Sequence, residues 1–513
     1  MPAIVTDKLR IINCNNFVND IASGRYYIFL GLPNSISFDS GWDSSPPDPI
    51  DNTLYTNSYR DTILGVKKIN SSDVVRVIRK NQWQSGKKYD MYRHDYSVYN
   101  TAPVTGATRL YDANYYVINK DYRIYICINN GSAPSNSNTG VASTQEPLHT
   151  DLSPRKESDG YTWKYLYTLS PSDVLKFDST DYVSVPNDWT SASNNNAEII
   201  RIRNNAVDGK IETILIEEQQ IYNYYGTLTN VPIKGDGSGG FATVTFDEES
   251  KPVSVEVTNG GSGYTYATLD LDSILPSLTG NKAIFNVIIP PPDGHGSNVY
   301  DELGANKVLV YGRIENDPTN PDFIVGNQFA RIGIIKNIKN FGSQSYFSGS
   351  TGSGVYGVKV TTNITEDLDS TMTQTGSNAI GNLISFDSIT KVAKYIQPRT
   401  NLVDTYQVST KKVIDYHYAD SITGIQTATR YAFTEFSPTT INVGSSSYSV
   451  DNTFNSNNII IGSVTYYLGQ NFINGMGLPD INIKSGEIVY VDNRSSVTRA
   501  SQQREDIKII LEF

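Results

Sequence analysis

A chain of 513 residues has room for about three domains, and its 38% hydrophobic content can build their cores. Its net charge of −11 excludes the basic footprint of a nucleic-acid binder, its two cysteines exclude a disulfide framework, and no run approaches the ~18 apolar residues of a membrane-spanning helix. Charged residues make up only 19%, and 35 Tyr stand against 17 Phe, a bias that suits half-buried strands and contact surfaces.

Along the chain, the first predicted element is a helix. Cys14, Phe17, Val18 and Ile21 recur at helical spacing, with Leu9 a turn or more earlier, Thr6 as N-cap and Gly24 closing the C-terminus. The opening residues have no apolar leader-like core, so the chain is expected to be made in a cytoplasm and to stay soluble or assemble. An apolar strand follows at 26–30. After it, short β-branched or aromatic runs alternate with turn clusters: 74–78, 122–128, 161–169, 199–202, 323–335, 459–467 and 507–513. A terminus written as a strand is usually tied into a sheet. The 44–49 stretch, with Pro46, Pro47 and Pro49, cannot continue a helix or central strand. Residues 131–146 read as a small polar loop. Residues 206–290 read as a separate β module with a loose internal echo. A Gly/Ser-rich stretch at 341–357 opens a third, strand-like region running to about 470.

Candidate chemistry is sparse. His94, His149, His295 and His417 do not sit at metal-ligand spacing and read as surface or interface residues. Cys14 and Cys127 read as buried free thiols. The glycines at 235–240 lack the Lys-Ser/Thr of a phosphate loop and read as a hairpin. Residues 259–264 likewise read as a turn. Pro292-Asp293-Gly294-His295-Gly296 is the short motif most like an active site, yet it reads as a tight joining loop. Glu217-Glu218 and Glu248-Glu249, taken as strand neighbours, point to opposite faces and cannot flank one bond. The basic stretch Arg76, Arg79 and Lys80 reads as a solvated strand edge or partner contact. Tyr115-Tyr116 and the tyrosines at 222–225 read as sheet or interface residues. No catalytic, cofactor-binding or metal residue is assigned.

Three ordered blocks carry a resemblance. The first comprises residues 4–8, strand 26–31, Trp42 with the proline loop, 61–66, 77–83 and Ser158-Asp159-Gly160-Tyr161-Thr162-Trp163-Lys164-Tyr165. The second is Val325 to Ile335. The third is Ser485-Gly486-Glu487-Ile488-Val489-Tyr490 onward, with the ending 505–513. In this order the chain resembles an expanded version of the gene-eight baseplate wedge subunits of T-even-like contractile-tailed phages, over about half its length. Residues 200–320 and 341–470 match poorly.

The resemblance implies a mainly β fold: a β-sandwich core with a short N-terminal helix and inserted β modules. The expected divisions are 1–200 (first part of the core), 201–292 (inserted module), 293–340 (return to the core), 341–470 (second module) and 471–513 (closing strands). It also implies a homodimer, other wedge proteins as partners, a place in the virion tail baseplate, and no enzymatic activity, nucleic acid or membrane. The C-terminal strand and residues 158–169 are expected in the sheet core, the 44–49 loop in partner contact. A rigid dimer would move while its neighbours repack around it. The alternative is an adhesin or receptor-binding role for the inserted modules; a tail hydrolase would need a pocket of converging carboxylates or a metal.

Overall fold

The structure is a computed structural model that describes residues 4–33, 42–134, 139–192, 196–277, 281–315, 322, 328–375, 379–397, 439–500 and 502–513. The expected fold class is observed: antiparallel sheets dominate, with a helix at the N-terminus. The chain divides into two compact units, each assembled from separated segments. The first holds Met1–Val18, Val75–Leu309 and Ile510–Phe513; the second holds Asn19–Val74 and Val310–Ile509.

The N-terminal helix is Asp7–Ser23, and the Thr6 hydroxyl accepts the Leu9 N–H at 3.3 Å, as its N-cap role requires. Ile11, Cys14, Val18 and Ile21 form the buried face, whereas Leu9 falls off that stripe and is exposed. Gly24 ends the helix without a left-handed backbone. Its constraint is space, because a Cβ there would meet the Asp20 carbonyl oxygen at 2.5 Å.

The core of the first unit is a four-stranded sheet ordered Tyr116–Ile118, Arg123–Asn130, Tyr161–Thr168, Arg155–Lys156. Cys127 lies opposite Trp163 and Tyr125 opposite Tyr165. Tyr161 and Trp163 stack at 5.3 Å, and Tyr89 meets Trp163 edge-on at 5.8 Å. The buried hydroxyls are satisfied by backbone carbonyls of the loops and strands packed around the sheet. Tyr125 donates to His149 O (2.6 Å), Tyr161 to Val141 O (2.8 Å), Tyr167 to Ser184 O (3.1 Å) and Tyr116 to Arg79 O (2.9 Å). Residues 158–169 thus take their expected core place through the strand Tyr161–Thr168.

Farther along the same unit, the strands Pro252–Ser262, Ser238–Phe246, Gly226–Gly235 and Ala267–Leu269 form a sheet in that order, and Ile214–Glu218 pairs with Ile284–Val287. Val231, Ala242, Val244, Phe246 and Tyr264 pack together with Ile214 and Val287. Residues 259–264 were expected to turn. Instead, the strand runs through Gly260, opposite Gly240, to Ser262 opposite Ser238, and the bulge after Phe241 takes up the irregularity.

The run 199–202 is helix, not strand. It lies within Ala197–Asn205, where the Asn196 side chain caps the Glu198 and Ile199 N–H groups at 3.0 and 3.4 Å. Ile199 and Ile202, one helical turn apart, are buried, so the cap and this spacing override the β-branched composition.

In the second unit, Thr351–Ser353, Ile63–Lys68, Tyr26–Gly31, Gln328–Lys336 and Glu487–Thr498 form one sheet in that order. Tyr26–Gly31 is buried throughout. Of the run 323–335, residues 323–327 lie outside the described residues, and the strand begins at Gln328. An eight-stranded sheet is ordered Ser446–Ser449, Thr440–Val443, Thr371–Gln374, Ala379–Asp387, Val392–Ile396, Tyr356–Lys359, Met476–Gly477, Phe472–Ile473. The run 459–467 is a hairpin, Asn458–Ile461 paired with Val464–Tyr467, because Gly462 takes a positive φ of 64° and reverses the chain. The C-terminal strand Arg504–Glu512 is a sheet edge and not core: Ile507 and Ile509 are buried while the residues between and beside them are exposed.

Trp163→Ala is expected to cost about 3–5 kcal/mol, because it empties the centre of the aromatic cluster. Trp163→Phe should cost much less: it keeps the ring stack and removes an indole N–H that has no hydrogen-bond partner. Urea unfolding of the full chain measures both, and equal losses would contradict the packing argument.

Candidate functional site

The active-site-like motif folds inward. Asp293, Gly294 and Gly296 all have positive φ (64°, 87° and 89°), and a Cβ at Gly294 would meet the Val207 carbonyl oxygen at 2.3 Å. This tight turn buries His295, whose Nδ1 lies 2.5 Å from Glu302 Oε1, while Glu302 Oε2 accepts the Gly296 N–H at 2.8 Å. Glu302 is itself buried, its backbone oxygen takes the Tyr115 hydroxyl at 2.6 Å, and Tyr92 meets the imidazole edge-on at 4.7 Å. The carboxylate therefore closes the loop. It is a structural clasp of the joining-loop kind expected.

The histidines are not uniformly superficial. His149 and His295 are buried, His94 is exposed and its Nδ1 accepts the Ile289 N–H at 3.2 Å, and His417 lies outside the described residues. Packing of loops onto the tyrosine sheet took two of them inside, which composition could not show. Cys14 and Cys127 are free and buried as expected, and burial pushes the Cys14 thiol up to about 12. Arg76 is also not a solvated edge residue. It is buried, with Nε 2.5 Å from Asn15 Oδ1, Nη1 3.0 Å from Asn187 Oδ1, and its guanidinium 4.4 Å from the Tyr300 ring centroid. Lys80 pairs with Asp178 at 2.6 Å, and only Arg79 keeps the open position predicted for the group.

The remaining motifs are spent locally. In the Gly235–Gly240 hairpin, Asp236 accepts the Thr265 and Tyr266 N–H groups and the Thr265 hydroxyl, which hold its carboxyl down at about 2. Glu217 accepts the Asn286 amide at 2.8 Å and lies 3.7 Å from Arg93. Glu248 and Glu249 sit in a turn instead of a strand. Tyr115, Tyr116 and Tyr222 are core residues, while Tyr225 is exposed. Among the described residues, no group of three or more His, Cys, Asp or Glu is arranged to hold a metal ion, and no helix is long and apolar enough to cross a membrane.

The proline loop is exposed but held in place. Residues 43–45, 47, 48 and 50 are exposed, yet the loop is pinned along the edge strand Glu487–Thr498. Trp42 Nε1 donates to Arg494 O (2.9 Å), Asn493 Nδ2 to Pro47 O (2.8 Å), Ser495 Oγ to Asp43 O (2.8 Å), and the Ser496 N–H to Asp43 Oδ1 (2.8 Å). At the far end, the Ile50 N–H donates to the Tyr59 hydroxyl at 2.7 Å. Beneath it lies Arg331, fully buried. Its Nε donates to Asn493 Oδ1 (2.8 Å) and its Nη1 to Thr62 Oγ1 (2.7 Å), with the Tyr59 ring centroid at 4.4 Å. Burial brings this guanidinium down to about 10. The loop shields part of a long strand edge and offers a fixed, proline-stiffened surface. Sequence reasoning found the loop but missed Arg331, which reads there as one more strand residue.

No family model matches the chain. It is similar to the baseplate wedge protein gp8 of Enterobacteria phage T4, with 25% identity over 214 residues, covering 36% of this chain and 60% of that protein. The chain thus spans less than two thirds of the length of this relative.

Arg331→Met should destabilise the protein by about 3 kcal/mol, since two charge-assisted hydrogen bonds are lost inside the core. It should also speed proteolysis within residues 43–50. Arg494→Ala, whose side chain is 63% exposed, should do neither; matching digestion of the two variants would refute the anchoring. A second expectation concerns acid. Burial lowers the His149 pKa below 6.5, with Asp151, 3.9 Å away, opposing the shift. The unfolded chain therefore binds this proton first, and the stability present above 6.5 is lost as pH falls toward the folded value. In urea unfolding from pH 7 to 5, His149→Leu should lose less stability than the parent; parallel curves would remove His149 from the acid response.

Proposed function

We propose that this chain is a structural component of a phage tail baseplate wedge, without catalytic activity of its own. The observation that carries the reading is the similarity to the T4 wedge protein, which supports a structural baseplate role at the coarse level. The ordered residue blocks at both ends and in the middle of the chain point the same way. In this reading the chain resides in the virion tail, binds other wedge proteins, and pairs with a second copy of itself. Its neighbours repack around it when the tail contracts, by the movement of rigid bodies about interfaces. The physical properties suit such a part. The buried guanidinium groups of Arg76 and Arg331 and the core tyrosine hydroxyls are held by named partners, which favours one fixed conformation over a deformable one. The pinned proline loop is the surface we assign to a wedge neighbour, because a preordered loop loses little entropy on binding.

The test is the copy number of the chain in purified phage particles, measured by quantitative mass spectrometry against a capsid protein, with tailless particles as control. A fixed multiple of six that disappears with the tail is expected. Absence from the particle would overturn the proposal, and a multiple of three that is not one of six would indicate a fibre or adhesin instead.

A further inference from the structure

One register row in the eight-stranded sheet carries an unusual set of residues. Lys394, on Val392–Ile396, lies opposite Gly357 on Tyr356–Lys359; Gly357 lies opposite Gly477 on Met476–Gly477; and Gly477 lies opposite Phe472 on Phe472–Ile473. A side chain at either middle position would displace Phe472 or Gln470. A Cβ on Gly357 would meet the Phe472 ring at 2.7 Å, and one on Gly477 would meet Gln470 Nε2 at 2.6 Å and Cδ at 3.0 Å. The glycines clear a trough across the sheet face, and the lysine side chain and the glutamine carboxamide share it.

Within that trough, Lys394 Nζ donates to the Leu468 carbonyl at 2.9 Å and contacts Gln470 Oε1 directly. The Phe472 ring centroid is 5.2 Å from the same nitrogen. Gln470 is fixed in turn: its Nε2 donates to Leu478 O at 3.1 Å and Val355 O at 3.4 Å. Both side chains are buried, at 4% and 5% residual exposure. Burial brings the amine down to about 7, so much of it is unprotonated, and hence nucleophilic, at neutral pH. Asp480, whose own pKa burial raises, is near enough for its charge to oppose that shift.

We propose that Lys394 and Gln470 become joined by an intramolecular isopeptide bond. The neutral amine attacks the carboxamide carbon one bond beyond the oxygen it already touches, forming Nζ–Cδ as the carbonyl π pair moves onto Oε1. When the carbonyl re-forms, the Cδ–Nε2 bond breaks. Nε2 takes one proton from Nζ and leaves as ammonia, and Nζ remains as a secondary amide N–H. No oxidant or co-reactant is needed, since amine plus primary amide gives secondary amide plus ammonia. The product replaces a buried, titratable amine by a neutral amide and closes the chain covalently from 394 to 470. Such a tie can be parted only by breaking a covalent bond, whereas hydrogen bonds between strands give way at far lower force.

Mass spectrometry of the purified full chain tests this. The parent should weigh about 17 Da less than its sequence requires, the mass of one ammonia, and digestion should release a branched peptide containing Lys394 and Gln470. Lys394→Arg, which keeps a buried cation but cannot form the bond, should show its full sequence mass. A parent of full mass, with Lys394 and Gln470 recovered only in separate linear peptides after prolonged incubation at pH 8, would overturn the proposal whatever the variant does.

Discussion

The constraint on which this structure rests is the accounting of polar groups where long irregular segments lie against buried sheets. A loop, helix end or strand packed across a sheet hides carbonyls that its own neighbours leave open. Here the tyrosine hydroxyl does it. Tyr115, Tyr116, Tyr125, Tyr161 and Tyr167 fill the first unit's core with their rings and donate to the carbonyls of Glu302, Arg79, His149, Val141 and Ser184. Tyr27 does the same for Phe347 in the second unit. One residue type thus supplies apolar area and loop attachment together, which accounts for much of its excess over phenylalanine.

Buried cations are handled by a related rule. Arg76 and Arg331 sit among amide and hydroxyl oxygens and aromatic faces, and Lys164 pairs with Glu212 at 3.3 Å. Each ties segments distant in sequence. Removing one would leave its oxygens unpaired, so these positions specify the arrangement more strongly than an apolar residue would. Lys394 is buried in the same way, but burial brings its amine down to about 7, and its trough of glycines gives it a carboxamide as close neighbour.

The motifs that resembled sites are consumed by the fold. His295 and Glu302 close a turn, Asp236 staples a hairpin to the neighbouring strand, and Glu217 holds Asn286 and lies beside Arg93. Among the described residues, the outward features include a pinned loop, open strand edges and scattered apolar residues such as Ile460 and Tyr467. That distribution suits a protein whose work is done by contact surfaces, in accord with the proposed role.

The sequence by itself determined the mainly β class, the N-terminal helix with its Thr6 cap, the buried strands 26–30 and 161–168, and the free thiols. Each depends on local periodicity or on residue chemistry that a short window contains. It misassigned 199–202 because a run of four residues with three β-branched side chains does not show that Asn196 stands ready to cap. It missed Arg331, Lys394 and Gln470 because their partners lie tens to hundreds of positions away. It placed the C-terminal strand in the core because alternation reveals a buried face but not a sheet's edge. Those decisions belong to tertiary structure: whether a polar group is buried, and which distant oxygen satisfies it, is fixed only when the sheets come together.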